Sequence, residues 1–214
     1  MNEQYKVQVQ NLVDDLKAVF THAGLGGEAG EYKLLTQSFL YKFLNDKFLY
    51  EAQDVDSENT YDRLVSMSEE DYDWLLEDIG TSTAWMKPNQ FIETLHRKQN
   101  ESDFYETFEN TLNQIAIDNN DIFSVHTDGD TAIRLFDERL ITDTISDSSK
   151  RNEVAKAIIN LLARVKFDET IFSQGFDFFS TLFEYMIKDY NKDGGGKYAE
   201  YYTCLLYTSD AADD

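Results

Sequence analysis

Residues 31–52 read EYKLLTQSFLYKFLNDKFLYEA. Leu35, Phe39, Leu40, Phe43, Leu44 and Phe48 recur at three- and four-residue intervals, which gathers them on one side of an α-helix. No Gly or Pro interrupts the run. It predicts a helix from Glu31 to about Ala52 and points to a mainly α fold.

The flanking sequence extends the pattern. Upstream, Val9, Leu12, Val13, Leu16, Val19 and Phe20 predict a first helix from about Gln4 to Phe20, broken by GLGGEAG at 24–30. Downstream, Ser68 followed by Glu69, Glu70 and Asp71 reads as an N-cap with acids in the first turn, where they suit the helix dipole. Gly80 ends that helix. Pro88 fits the first turn of the next, which carries Phe91, Ile92 and Leu95. Ser102 is the expected cap of another, with Phe104, Phe108, Leu112 and Ile115 on one face. Asp118 to Ser149 is rich in Asp, Asn, Thr and Ser, and reads as a long connection holding a short helix near Leu135 to Leu140. Helices resume from about Lys150 to Val165 and from about Ser173 to Tyr190, until Gly194, Gly195 and Gly196 stop the last one. The expectation is a multi-helix, mainly α domain of about six to eight helices.

Composition bounds the function. Hydrophobic residues make up 42% of the 214, enough for a core, and Pro (1) and Gly (10) are too scarce for a turn-rich β architecture. The 41 acids against 19 bases give a net charge of −22, which repels bare DNA and anionic membrane. Cys204 is the sole cysteine, so neither an internal disulfide nor a Cys-rich zinc site can form. The start, MNEQYKVQVQ, lacks the pattern of a secretory signal. No apolar stretch approaches the ~20 residues that span a bilayer, so the expected location is cytoplasmic, with no membrane partner. Cys204 to Asp214, CLLYTSDAADD, resembles a translated sequencing adapter and is set apart from the fold.

Several motifs match on paper. Asp189, Asn191, Asp193, Gly194 and Glu200 satisfy the EF-hand template, whose alternating oxygens, sharp glycine turn and final acid suit Ca²⁺. Gly196 occupies the position usually held by an aliphatic residue, no second loop pairs with this one, and no amphipathic helix follows Glu200. The metal assignment is therefore none. Gly24, Gly26 and Ala29 fit G-x-G-x-x-A, but a dinucleotide site needs a preceding strand and here a helix precedes, so a helix–helix connection is expected. His22, His96 and His126 are scattered and read as surface or cap residues. The acids, spread over many helices, read as solvated faces. No catalytic residue is assigned.

Phe176 to Thr203, FDFFSTLFEYMIKDYNKDGGGKYAEYYT, resembles the junction of type I restriction–modification methyltransferase subunits. There a helix ending in a (Y/F)EYL(I)-like pattern, here Phe183 to Ile187, passes through a Gly-rich linker into G-x-F-Y-T-P. Ala199 to Thr203 stand at that last motif, with Cys204 in place of its proline. Lys33 to Phe48 looks like the family's early helix, and Arg134 to Leu140, RLFDERL, like its short segment before the last helices. The resemblance spans most of Met1 to Thr203. It implies a helical N-terminal domain over 1–190, a linker and first catalytic motif over 191–203, an adapter-derived run over 204–214, and a missing α/β S-adenosylmethionine-dependent methyltransferase domain. It also implies N6-methylation of adenine in DNA, with S-adenosyl-L-methionine contacted by Glu200, Tyr201, Tyr202 and Thr203. The partners it implies are DNA, a specificity subunit, a second methyltransferase subunit and, in systems that have one, a nuclease subunit.

The family's Gly-rich cofactor loop is absent, as is the N-P-P-(F/Y) motif that holds a flipped adenine, so the chain alone is expected to be inactive. The family leaves target recognition to the specificity subunit, and that subunit and the missing half can supply the phosphate-neutralising bases. The alternative is an acidic helical interaction protein, either a DNA mimic or a Ca²⁺-linked module using the loop at 189–200. Calcium titration separates the two: the chain is expected to show no site tighter than about millimolar. Micromolar binding abolished by Asp189→Ala would reverse the metal assignment.

Overall fold

A computed structural model describes residues 3–27, 29–81, 83–120 and 135–172, with the side chains of 3–6 and 170 outside that set. The described residues are mainly helical and contain no strand. The helices are α1 (Glu3–Ala23), α2 (Ala29–Val55), α3 (Tyr61–Ser66), α4 (Glu69–Ile79), α5 (Ile92–Lys98), α6 (Phe104–Asp118), α7 (Leu140–Thr144), α8 (Ser148–Arg164) and α9 (Glu169–Phe172), with a 3₁₀ turn at Pro88–Gln90. No described helix is long and apolar enough to cross a membrane.

Two helices organise the packing. Helix α2 touches α1, α4, α7 and α8, while α8 touches α1, α5, α6 and α7 as well. Between Glu31 and Tyr50 only Lys33 is exposed. The expected single apolar stripe is thus too narrow. Leu34, Tyr41 and Ala52 are buried beside Leu35, Phe39, Leu44 and Phe48, whereas Leu40 and Phe43 sit at the core's edge. A helix enclosed on nearly every side loses its amphipathic signature. Aromatic rings fill its surroundings. Phe48 stacks on Tyr72 of α4 at 6.4 Å and meets Phe91 at 5.7 Å, while Tyr41 meets Phe108 of α6 edge-on at 6.1 Å.

The enclosed helix also buries polar residues. Lys42 and Asp46 form an ion pair at 2.9 Å, with side chains 5% and 6% exposed. Asp46 also accepts from Asn45 Nδ2 at 2.7 Å and from the Phe167 backbone N–H at 2.7 Å. Asn45 Oδ1 accepts from the Ile92 N–H, an otherwise orphaned donor at the start of α5. Burial lowers the Lys42 pKa from the usual lysine value, and the charge and hydrogen bond of Asp46 oppose that shift.

Local signals worked in some places and misled in others. Ser68 caps α4, its Oγ accepting from the Asp71 N–H at 3.2 Å, and Gly80 ends that helix at φ 69°. Residues 24–27 join α1 to α2, with Gly24 at φ 97°, a turn that suits glycine, so the G-x-G-x-x-A match is a helix–helix connection. Ser102 is not the cap of α6: Asp103 holds that position in the left-handed region at φ 54°, without a side-chain cap. Pro88 opens a separate 3₁₀ turn, and Phe91 is the N-cap of α5. The short helix expected at 135–140 forms at Leu140–Thr144, after bends at Leu135 and Phe136 that bury the Phe136 ring in the core. The helix expected from Ser173 to Tyr190 lies outside the described residues, as do the domain limits at 190 and 203.

Asp46→Ala tests the buried network. Removing one member of a buried pair leaves the other charge uncompensated, so unfolding in urea should show a loss of about 3–5 kcal/mol. A loss under about 1 kcal/mol, the range of an exposed pair, would show that the network contributes little.

Candidate functional site

A polar groove of about 490 Å³ lies between α6, α7 and α8. Helix α6 contributes Tyr105, Glu106, Glu109 and Asn113 from one face, because residues three and four apart align along a helix. Glu138 and Arg139 come from the turn before α7, Thr142 from α7 and Arg151 from α8.

Two of these side chains hold α7 at opposite ends. Glu109 is 7% exposed, and its carboxylate accepts from the Thr142 N–H at 2.6 Å and the Thr142 hydroxyl at 2.9 Å. It serves as a cap supplied from another helix. Arg151 Nε donates to the Ile145 carbonyl at 3.0 Å and Nη2 to the Thr142 carbonyl at 3.2 Å. Its guanidinium lies 5.8 Å from the Tyr105 ring centroid. A negative group at the N-terminus and a positive one at the C-terminus both suit the helix dipole.

The rest of the groove has mixed charge. Tyr105 donates to Glu106 at 3.0 Å, and that bond, with burial, raises the phenol pKa. Asn113 Nδ2 donates to the Glu138 carbonyl at 2.6 Å, and Asn113 Oδ1 is buried without a partner. Arg139 pairs with Asp143 at 3.3 Å, largely in solvent. This chemistry is hydrogen bonding and ion pairing. Of its two hydroxyl–carboxylate contacts, Thr142 to Glu109 is already committed to holding α7, and Tyr105 to Glu106 joins neighbours on the exposed side of α6.

The residues singled out from sequence lie elsewhere. Glu200, Tyr201, Tyr202 and Thr203 are outside the described residues, as are the loop at 189–200 and His126. His22 is exposed near the end of α1. His96 is half-buried in the last turn of α5, with Nε2 3.1 Å from Asn160 Oδ1, and so ties α5 to α8. No group of three or more His, Cys, Asp or Glu is placed to hold a metal ion among the described residues. The reading of acids as solvated faces needs correction at Glu31, Asp46 and Glu109, which are buried and hydrogen-bonded. Glu109 follows Phe108 on the apolar side of α6, and that adjacency was the available signal. Arg151 and Thr142 carry no comparable mark. Compared with known protein families, curated proteins and solved structures, the chain matches none.

Glu109→Ala removes the cap while sparing the apolar core. Hydrogen bonds to charged groups contribute about 1.5–3 kcal/mol, so the variant should lose stability on that scale. Hydrogen exchange at the Thr142 amide should accelerate more than at amides in the middle of α2. Uniform acceleration across the domain would argue against a local cap.

Proposed function

We propose that this chain is the helical amino-terminal part of a type I restriction–modification DNA adenine methyltransferase subunit. The observation that carries the reading is positional. Residues 33–48, which resemble the family's early helix, lie on α2, the helix on which much of the domain packs. A mainly helical architecture over the described residues is what such a domain calls for ahead of the junction-like segment 176–203.

On this reading the domain is a scaffold. S-adenosyl-L-methionine supplies the methyl group, and Glu200, Tyr201, Tyr202 and Thr203 form one edge of its pocket. A hydroxyl and backbone groups there suit the charged methionine end, and an aromatic ring can pack beside it. The catalytic domain, a specificity subunit and a second methyltransferase subunit complete the DNA-modifying complex. A nuclease subunit joins where the system has one.

A second reading, the acidic helical interaction protein, is favoured by the exposed tryptophan on the acidic helix α4. The EF-hand-like loop at 189–200 lies outside the described residues, so the Ca²⁺-linked form rests on the sequence pattern alone.

The test is transfer of an isotope-labelled methyl group. The chain alone should transfer none and bind S-adenosylmethionine weakly, because positioning donor and acceptor supplies much of the barrier reduction. Joined to the family's catalytic domain and a specificity subunit, it should support adenine methylation. In that complex, Thr203→Val or Tyr202→Ala should weaken cofactor binding more than DNA binding. Transfer by the chain alone, or no adenine methylation by the completed complex, would overturn the reading.

A further inference from the structure

Helix α4 presents the largest exposed apolar side chain among the described residues, Trp74, at 62% exposure. Glu70 and Asp71 lie one turn before it, Glu77 and Asp78 one turn after it, and Asp73 beside it. All five acids are exposed, and none has an ion-pair partner among the described residues. Asp71 accepts from Ser68; the other four have no hydrogen-bond partner among the described residues.

The platform beneath is fixed. Tyr72, Leu75 and Ile79 bury the opposite side of α4. The Tyr72 ring stacks on Phe48, and its hydroxyl donates to the Met86 carbonyl at 2.6 Å. Ser68 and Gly80 close the two ends of the helix. Trp74 is therefore held outward by a helix whose core contacts are already complete. A scattered surface leucine needs no explanation, but tryptophan is the residue most enriched where binding energy concentrates. An indole on a pre-ordered helix also loses little freedom on binding.

Charge decides the occupant. Phosphate backbones, anionic membranes and a second copy of a −22 chain are all repelled by this face. The chain's own remaining stretches fit no better: residues 173–214 hold eight acids and three bases, and 121–134 three acids and one base. A cationic side chain fits, since indole is the best cation–π acceptor and the surrounding carboxylates supply ion pairs and steer approach.

We propose that the outer face of α4 is a docking surface for a Lys/Arg-rich segment of a partner protein. One cationic side chain of that segment lies over the Trp74 indole, and its neighbours pair with Glu70, Asp73 and Glu77. The proposal is independent of the methyltransferase reading.

The probe is a labelled synthetic peptide of repeating Arg-Lys-Gly units, titrated with the full chain near physiological salt and followed by fluorescence anisotropy. Trp74→Ala should weaken binding roughly fivefold, within the cation–π range, and the triple variant Glu70→Gln, Asp73→Asn, Glu77→Gln roughly tenfold. A control triple, Asp14→Asn, Asp15→Asn, Glu153→Gln, removes the same charge from exposed sites on α1 and α8 and should change binding by less than about twofold. Equal losses in the two triples would mean diffuse attraction and overturn the proposal, as would an unchanged affinity in Trp74→Ala. Three other results would also overturn it: dimers in sedimentation that Trp74→Ala dissolves, duplex DNA binding that it abolishes, or wild-type quenching by acrylamide no greater than that of Trp74→Phe. The first would assign the face to a second copy, the second to nucleic acid and the third to the chain itself. Trp74 packs into no core, so the helical circular dichroism of the variants should match wild type.

Discussion

The Asp46 carboxylate is buried, and three groups answer it, two from its own helix and one from far along the chain. Lys42, one turn earlier, supplies the opposite charge; Asn45, its neighbour, supplies an amide; Phe167 supplies a backbone N–H from the segment after α8. Asn45 then extends the network to the start of α5. An isolated buried charge costs several kcal/mol, so each answer is a condition for enclosing α2 at all. Hydrophobic burial drives the helices around α2, but burial has no direction. The network has one, and it fixes the register of α5 and of the 165–168 segment against the central helix.

The same logic separates the protein's acids into two populations. Inside, Glu31, Asp46 and Glu109 each accept a backbone N–H, from Gly27, Phe167 and Thr142, and each stitches one element to another. Outside, the exposed pairs among the described residues, such as Arg63 with Asp56 and Glu58, contribute little to stability. Among the described residues the acidic excess thus lies mainly on the surface. It bears on which molecules approach, while the fold rests on a small number of hidden charges.

The sequence made the helices legible because their apolar spacing is strong: Phe104, Phe108, Leu112 and Ile115 all lie at 0% exposure on α6, as the pattern implies. The same was true of the Ser68 and Gly80 ends, where local chemistry decides. It was less legible where tertiary contacts override local preference. Ser102 is a better intrinsic cap than a left-handed Asp103, yet the Asn152 side chain accepts the Tyr105 N–H at 3.0 Å, so the start of α6 is satisfied from α8 instead. Asp46 and Glu109 looked like solvated acids because the backbone N–H groups they accept, from Phe167 and Thr142, lie 121 and 33 residues away. The groove at α7 was invisible for that reason. Glu200, Tyr201, Tyr202 and Thr203, the proposed S-adenosylmethionine contacts, rest on the family resemblance and fall outside the described residues.

Asp46 and Phe167 are separated by 121 positions, and that distance has a consequence for how the chain is made. During synthesis α2 emerges early, with its charged pair already facing an apolar interior that has not yet formed. The amide that completes the network leaves the ribosome more than a hundred residues later, and at ~5–20 residues per second that is a wait of about 6–24 s. Over that interval enclosing α2 would leave the Asp46 carboxylate one hydrogen bond short. Non-local closure of this kind is intrinsically slow, and the waiting helix is the part of the nascent chain most in need of a chaperone.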